Sequence, residues 1–247
     1  MDIRGFDRFS LVDYPGHISC IVFTGGCNYR CPFCHNACLV LDPASQPRVT
    51  EHEFFHFLDG RRGLLEGVVV SGGEPTLQPD LPDFLAAIRE RSMLVKLDTN
   101  GSHPEVVKKL IAAECVSEFG IDYKAPAAGY ADATRCREGE GADAVRASIR
   151  AVLDSGVALE VRTTVHRALL SPEELATMRD ELRELGVQRW ILQQFNPTEV
   201  LASGLESRPT YGDHELAHLA RDLGPMVAVR GLHGAELFVD PRRQGEN

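Results

Sequence analysis

The chain has 247 residues, of which 43% are hydrophobic and 25% charged, a composition typical of a globular protein with a sizeable core. Its 26 basic and 36 acidic residues give a net charge of −10, which argues against a general binder of nucleic acid because such binders present a basic surface. The first nine residues mix charges without an apolar stretch, and the aliphatic runs are only a few residues long. These patterns predict no targeting signal, no membrane-spanning helix and a cytoplasmic location.

The seven cysteines are unevenly distributed. An odd number excludes complete internal pairing, and crowding in a chain of this length is unlike the spread of cysteines in a small secreted disulfide scaffold. Five of them lie within one short stretch: Cys20, Cys27, Cys31, Cys34 and Cys38. This distribution favours a metal or cluster site in a reducing compartment.

Short β-rich runs alternate with helical patterns along the chain. The predicted strands are 18–23, 67–71, 94–98, 116–122, 158–164, 189–193 and 226–230. The predicted helices begin at 50 and then span 83–91, 104–113, 143–155, 171–186 and 211–223. Thr50 and Glu53 have the spacing of a capping box, as do Ser171 and Glu174.

The repeated β-then-α order predicts the fold class. Each helical crossover returns the chain to the same strand direction, so six such units predict a parallel sheet. No linker divides the chain, which predicts one domain over 1–239 and a disordered tail at 240–247. Since six units are fewer than the eight of a closed barrel, the prediction is an incomplete (β/α)6 TIM-like barrel, with a doubly wound sheet as the alternative.

The loop after the first predicted strand contains Cys27-x3-Cys31-x2-Cys34. Three thiolates at this spacing are able to converge on one centre. They would leave the fourth iron of a [4Fe–4S] cluster open to substrate, whereas a structural zinc would need a fourth ligand, from Cys38 or His35. The residues alone leave cluster and zinc open, and their close spacing disfavours unreactive buried thiols.

The cysteine motif, with Phe33 before its last cysteine, resembles the signature of the radical S-adenosylmethionine (radical SAM) superfamily. The wider strings Ser-Leu-Val-Asp-Tyr-Pro-Gly at 10–16, Gly-Cys-Asn at 26–28 and Cys-His-Asn at 34–36 resemble the glycyl-radical-enzyme activases. Within these, the chain is most similar to the anaerobic ribonucleoside-triphosphate reductase activating proteins. The resemblance extends over about 5–230 and favours iron–sulfur over zinc.

The resemblance implies a [4Fe–4S] cluster held by Cys27, Cys31 and Cys34, with S-adenosylmethionine (SAM) bound to the open iron and Phe33 beside the cofactors. Larger activases carry a ferredoxin-like insert with further cysteines after this motif. Here 39–50 leads directly to the first helix, so we expect a single cluster.

The second predicted strand ends in Ser-Gly-Gly-Glu at 71–74. Glycines at a strand end permit unusual backbone angles and let the backbone approach a ligand closely, although an ordinary tight turn has the same pattern. In the family that the chain resembles, this element contacts the methionine ammonium of SAM. The resemblance therefore assigns Gly72, Gly73 and Glu74 to the site.

Polar groups also end the next two predicted strands, at Asp98-Thr-Asn100-Gly and at Asp122-Tyr-Lys124. A solvated turn and a surface ion pair are the ordinary interpretations, but successive strands that end in polar groups favour a shared site. The activases have similar segments near SAM. The resemblance implies that Lys124 meets the SAM carboxylate and that Asp98 and Asp122 bind a monovalent cation.

Two residues of the later strands complete the predicted site. Arg162 has the chemistry for a two-pronged contact with the SAM carboxylate, or for a structural salt bridge. Some activases have a histidine near the position of Asn196 that reaches the nucleoside of SAM, and Asn196 is the substitute here.

The resemblance implies an anaerobic oxidoreductase with no catalytic side chain beyond the cluster and SAM. One electron from a flavodoxin or ferredoxin would cleave SAM to a 5′-deoxyadenosyl radical, which would take a hydrogen atom from a glycine of a glycyl radical enzyme like anaerobic ribonucleotide reductase. The alternatives are a radical SAM enzyme acting on a small molecule, like 7-carboxy-7-deazaguanine synthase, and a structural zinc interaction module.

A second motif is interpreted as coincidence. His52-Glu53-Phe-Phe-His56 matches the H-E-x-x-H pattern of zinc metalloproteases. Glu53 is already the predicted capping partner of Thr50, and no third zinc ligand is evident. The remaining thiols are expected to be bystanders, with Cys38 structural or facing solvent, and Trp190 is expected in the core.

Overall fold

The structure, a computed structural model, describes residues 1–196 and 200–231. Within these residues, eight strands form one sheet, and each strand pairs with the next one along the chain, from β1 to β8. The strands are β1 Ile3–Ser10, β2 Ser19–Thr24, β3 Gly67–Gly72, β4 Leu94–Thr99, β5 Glu118–Asp122, β6 Ala158–Val165, β7 Trp190–Gln194 and β8 Val227–Arg230. From β2 onwards every pair is parallel.

The first strand was not predicted from the sequence. β1 pairs antiparallel with β2, with Ile3 opposite Thr24 and Ser10 opposite Ser19. As an edge strand it is buried only at its two ends, so it lacks the alternation of polar and apolar residues that identifies a strand. The expectation of a wholly parallel sheet is therefore corrected by one antiparallel edge.

Helices cover the outside of the sheet. They are α1 Ala37–Leu41, α2 Glu51–Asp59, α3 Leu81–Arg89, α4 Pro104–Ala112, α5 Tyr130–Thr134, α6 Ala142–Ser155, α7 Pro172–Leu185 and α8 Asp213–Leu223. Six β-then-α units run from β2 to α8 before β8 closes the described sheet. The sequential strand order confirms the incomplete barrel, since a doubly wound sheet reverses its order at a switch point.

Helix ends follow the local chemistry of the sequence. Thr50 accepts a bond from the amide of Glu53, whose side chain accepts from the amide of Thr50, and Ser171 and Glu174 do the same at α7. Gly186 ends α7 with φ of 91°, a left-handed conformation that glycine adopts without strain. Both predicted capping boxes are confirmed.

The two faces of the sheet differ in polarity. The outer face packs apolar side chains, including fully buried Trp190 as predicted, against the helices. The inner face carries charged side chains from the middle strands, because alternate residues of a strand point to the same side. These inward charges are Lys96, Asp98, Glu118, Asp122, Glu160 and Arg162.

No helix in the described ranges is long and apolar enough to cross a membrane. Residues 232–247 are outside the described residues. The predicted tail at 240–247 and the predicted domain end at 239 lie in that segment.

Candidate active site

The cysteine loop lies at the carboxyl end of β2, where the functional residues of such a barrel are expected. Cys27, Cys31 and Cys34 line one cavity of about 780 Å³. Eight of the predicted cofactor residues line it as well: Phe33, Gly72, Gly73, Asp98, Asn100, Asp122, Lys124 and Arg162. The chain thus brings together residues from five successive strand ends.

Gly72, the last residue of β3, and Gly73, which follows it, pack against the end of β2 and the cysteine loop. Gly72 has φ of 118°, and a Cβ atom there would collide with the backbone of Thr24. A Cβ atom on Gly73 would overlap the carbonyl oxygen of Gly26. Hydrogen bonds from the amide of Gly73 to Thr24 O, at 2.9 Å, and from the amide of Glu74 to Gly26 O, at 2.8 Å, fix the contact. Glycine is required at 72 and 73 because backbone meets backbone there.

Glu74 is fully buried and is not among the residues that line the cavity. Its carboxylate accepts bonds from the amide and hydroxyl of Thr76, at 3.0 and 2.5 Å, from the hydroxyl of Thr99 at 2.6 Å, and from the amide of Asn100 at 2.6 Å. It therefore ties the end of β3 to the end of β4. The structure places Glu74 beneath the site, where it positions Asn100.

The surroundings of the thiols suit a bound cluster. The amide of Tyr29 donates to Cys27 Sγ at 3.4 Å, and Nδ2 of Asn100 lies 4.0 Å from the same sulfur. Burial raises the pKa of Cys27 to about 12 and that of Cys31 to about 11, so metal-free thiols would stay neutral. Hydrogen-bond donors around sulfur are typical of cluster ligands, and a metal ion deprotonates the thiols that coordinate it. The three cysteines and their surroundings therefore fit an iron–sulfur cluster.

A chain of ion pairs crosses the floor of the cavity. Lys124 Nζ is 3.0 Å from Asp122 Oδ2, Arg162 Nε is 3.1 Å from Asp122 Oδ1, and Arg162 Nη1 is 3.0 Å from Asp98 Oδ2. Burial raises the pKa of Asp98, even though Arg162 opposes the shift. At Asp122 burial also acts to raise the pKa, but Lys124 and Arg162 outweigh it and lower the pKa.

The guanidinium of Arg162 lies between Asp98 and Asp122, where the resemblance implied a monovalent cation. Binding of that cation stays a prediction. Arg162 thus forms the ion pairs of its ordinary, structural interpretation. Lys124 is also paired, with Asp122. Asp98 Oδ1, in contrast, is buried and has no hydrogen-bond partner among the described residues. It lies so close to Gly120 that a Cβ atom there would collide with it.

Several residues that line the cavity were missed from the sequence. Gln193 and Gln194 lie at the end of β7, Thr164 near the end of β6, and Asn36 follows the cysteine motif. His35 also lines the cavity and was considered in the sequence only as a possible zinc ligand. The rule that strand ends carry the site would have found the first three. Asn196, which was predicted, does not line the cavity, and its carbonyl oxygen lies 2.8 Å from Nε2 of His35.

The residues set aside as coincidental lie elsewhere. His52 and His56 stack on α2, with ring centroids 6.4 Å apart, outside this cavity. Cys38 is exposed, as predicted, whereas Cys20 and Cys115 are buried. Within the described part of the chain, His52 and His56 belong to no group of three or more His, Cys, Asp or Glu side chains that could hold a metal ion.

Residues 21–186 match the model of the radical SAM superfamily. The chain belongs to the radical SAM superfamily. This family implies a [4Fe–4S] cluster and SAM as cofactors, for which the cavity supplies three cysteines and a polar floor.

Two relatives extend the family match beyond the cysteine motif. A protein of Methanocaldococcus jannaschii, provisionally named a glycyl-radical enzyme activating enzyme, is 30% identical over 240 residues, which cover 94% of this chain and 97% of that protein. The pyruvate formate-lyase-activating enzyme of Clostridium pasteurianum is 28% identical over 188 residues, covering 70% of this chain and 71% of that enzyme.

A solved structure shows the same fold. SuiB of Streptococcus suis bound to S-adenosylmethionine superimposes with a TM-score of 0.64 at 16% sequence identity. The match covers 87% of this chain and 50% of SuiB, so this chain spans half the length of that protein. At this identity the likeness supports the architecture alone.

Proposed function

We propose that this radical SAM enzyme activates a glycyl radical enzyme, with an anaerobic ribonucleotide reductase-like protein as its partner. The observation that carries the proposal is the similarity to an activating enzyme along nearly the whole length of both chains. A similarity of that extent covers the strands that form the cavity and not merely the cysteine motif.

The form of the cavity supports a macromolecular substrate. It is lined both by Asp7 of β1 and by Val229 of β8, the two edges of the described sheet. The cavity therefore reaches the gap between β1 and β8, which do not pair with each other within the described residues. A flexible glycine loop of another protein would enter through such a gap more readily than through a closed pocket.

We assign roles to the lining residues on this basis. Cys27, Cys31 and Cys34 hold the cluster, and Asp98 Oδ1 and Lys124 provide an acceptor and a donor for the amino acid part of SAM. When bound, the cluster would supply the single electron that reductive cleavage of SAM requires, with a flavodoxin or ferredoxin in the cytoplasm as the proposed electron source and the partner's glycine as the proposed hydrogen donor. The chain's own residues orient these groups and exclude water.

The first experiment tests the cluster. After anaerobic iron–sulfur reconstitution, Cys31→Ala should lose reductive cleavage of SAM to 5′-deoxyadenosine, measured by chromatography, because one thiolate ligand is missing. Cys38→Ala is the matched control and should behave as the unmodified enzyme, since Cys38 is exposed and outside the cavity. Full cleavage by Cys31→Ala would contradict the ligand assignment.

The second experiment tests the partner. Enzyme, SAM, reductant and an anaerobic ribonucleotide reductase are mixed, and the glycyl radical is measured by electron paramagnetic resonance. A radical that forms with wild type and Cys38→Ala but not with Cys31→Ala supports the proposal. Rapid SAM cleavage without a radical on any glycyl radical enzyme would contradict it and would favour the alternative of a small-molecule substrate.

A further inference from the structure

The inside of the barrel contains a second cluster of charges below the ion chain of the site. Lys96 is fully buried, and its Nζ lies 3.5 Å from Glu118 and 3.6 Å from Glu160. Arg230 pairs with both oxygens of Glu160, at 3.0 and 2.6 Å. We call these four side chains the lower layer. Three of them, Lys96, Glu118 and Glu160, are not among the residues that line the cavity, so SAM binding does not account for them.

One end of the lower layer holds the loop between β1 and β2, residues 11–18. Lys96 Nζ donates to the carbonyl oxygen of Asp13 at 2.8 Å, and the buried ring of Tyr14 lies 5.9 Å from the same nitrogen. Leu11 and Val12 of this loop line the cavity and are 60% and 71% exposed. Lys96 therefore holds the loop that follows β1, an edge strand of the described sheet, and that lines part of the cavity. We call residues 11–18 the first rim.

The other end of the lower layer contacts the end of β8, at the opposite edge of the described sheet. We call residues 227–231 the second rim. Arg230 is the last residue of β8 and lines the cavity, and its two-pronged bond with Glu160 fixes the position of that strand end. A bidentate arginine–carboxylate pair specifies geometry as well as energy. A continuous path thus runs from Asp13 through Lys96 and Glu160 to Arg230, and it joins the two unpaired edges of the described sheet.

We propose that Lys96 and Glu160 are positioning residues that set the separation of the two rims and so align the partner's glycine with the bound SAM. This inference rests on the proposed function for the identity of the substrate. Because the path avoids the cysteines, it acts on the transfer to the partner and not on SAM cleavage itself.

The test compares matched variants. Lys96→Met combined with Glu118→Gln removes the anchor of the loop while keeping the layer electrically balanced. Glu118→Gln alone is the control, since Glu118 forms its ion pair with Lys96, which belongs to neither rim. Glu160→Gln separately weakens the hold on Arg230. For each variant, glycyl radicals formed per 5′-deoxyadenosine and the apparent KM for the partner are measured, together with cleavage in the partner's absence.

We expect the double variant and Glu160→Gln to form about tenfold fewer radicals per 5′-deoxyadenosine, since a misplacement of about 1 Å costs up to about 100-fold in rate. Partner-free cleavage and the control should be unchanged. An unchanged ratio, or an equal loss of cleavage and transfer, would overturn the inference, because a merely structural defect lowers both.

Hydrogen exchange separates this inference from the proposed function. Amides of residues 11–18 should exchange faster in the double variant than in Glu118→Gln, and those of 227–231 faster in Glu160→Gln than in wild type. This readout needs no partner. Exchange that does not change would refute the rim contacts even if activation is real, whereas changed exchange with a wild type that activates no partner would refute only the function.

Discussion

The two charged layers inside the barrel differ in how completely their polar groups are satisfied. We call the ion chain of Lys124, Asp122, Arg162 and Asp98 the upper layer. There, one buried carboxylate oxygen of Asp98 has no hydrogen-bond partner among the described residues. In the lower layer, Lys96 has a carbonyl oxygen and two carboxylates around its ammonium. Unsatisfied buried groups are costly and are kept where a ligand completes them. The difference agrees with the proposed roles, in which the upper layer binds SAM and the lower layer supports the two rims.

The largest effect is expected from Arg162→Met, in the upper layer. It leaves Asp98 and Asp122 without the guanidinium between them, and losing one partner of a buried ion pair costs about 3–5 kcal/mol. Denaturant unfolding should show this loss, and SAM cleavage should fall sharply. Adding Asp98→Asn should restore part of the stability but not the cleavage. Restored cleavage would mean that the upper layer is only structural.

A smaller effect is expected from Glu74→Gln. The side-chain amide of glutamine has only one acceptor atom, and its NH2 group would face groups that are themselves hydrogen-bond donors. At a buried site this mismatch lowers the free energy of unfolding by about 1–3 kcal/mol. Thermal unfolding should reveal the loss, while SAM affinity changes little because Glu74 does not line the cavity. Glu105→Gln, at an exposed helix position, is the control, with a change within about 0.5 kcal/mol. A selective loss of SAM binding would place Glu74 in direct contact with SAM.

The smallest effect is expected from Glu118→Gln, in the lower layer. Burial raises the pKa of Glu118 above its ordinary value of 4.5, although Lys96 opposes the shift. Its contribution to stability is therefore present below that pH and is lost as the pH rises through the raised pKa. Unfolding at several pH values should show a smaller fall in the variant than in wild type, since Asp98, whose pKa is also raised, remains in both. The stabilities at neutral pH should differ by about 1 kcal/mol or less.

The fold was largely predictable because its information is local. Capping boxes, helix stops and short buried runs lie within a few residues of one another, so 50–53 and 171–174 were interpreted correctly from the sequence. β1 was not predictable in the same way, since an edge strand that pairs on one side buries too few residues to show a period of two.

The site was predictable as a set of strand ends but not in its contacts. The positions of Asp98 and Asp122 indicated the cavity, yet only the fold shows that Arg162, distant in sequence, occupies the space between them. The burial of Glu74 depended likewise on its approach to β4. Such contacts join residues that no local pattern relates.

The collision that any side chain at 73 would have with Gly26 bears on which sequence changes the enzyme tolerates. Gly73 and Glu74 donate main-chain hydrogen bonds to Thr24 and Gly26, so the end of β3 and the start of the cysteine loop pack as one unit. A side chain at 73 would displace the loop that carries Cys27, although residue 73 itself is not a predicted cluster ligand. Variation at this position is therefore restricted by the shape of the cysteine loop as well as by contact with a cofactor.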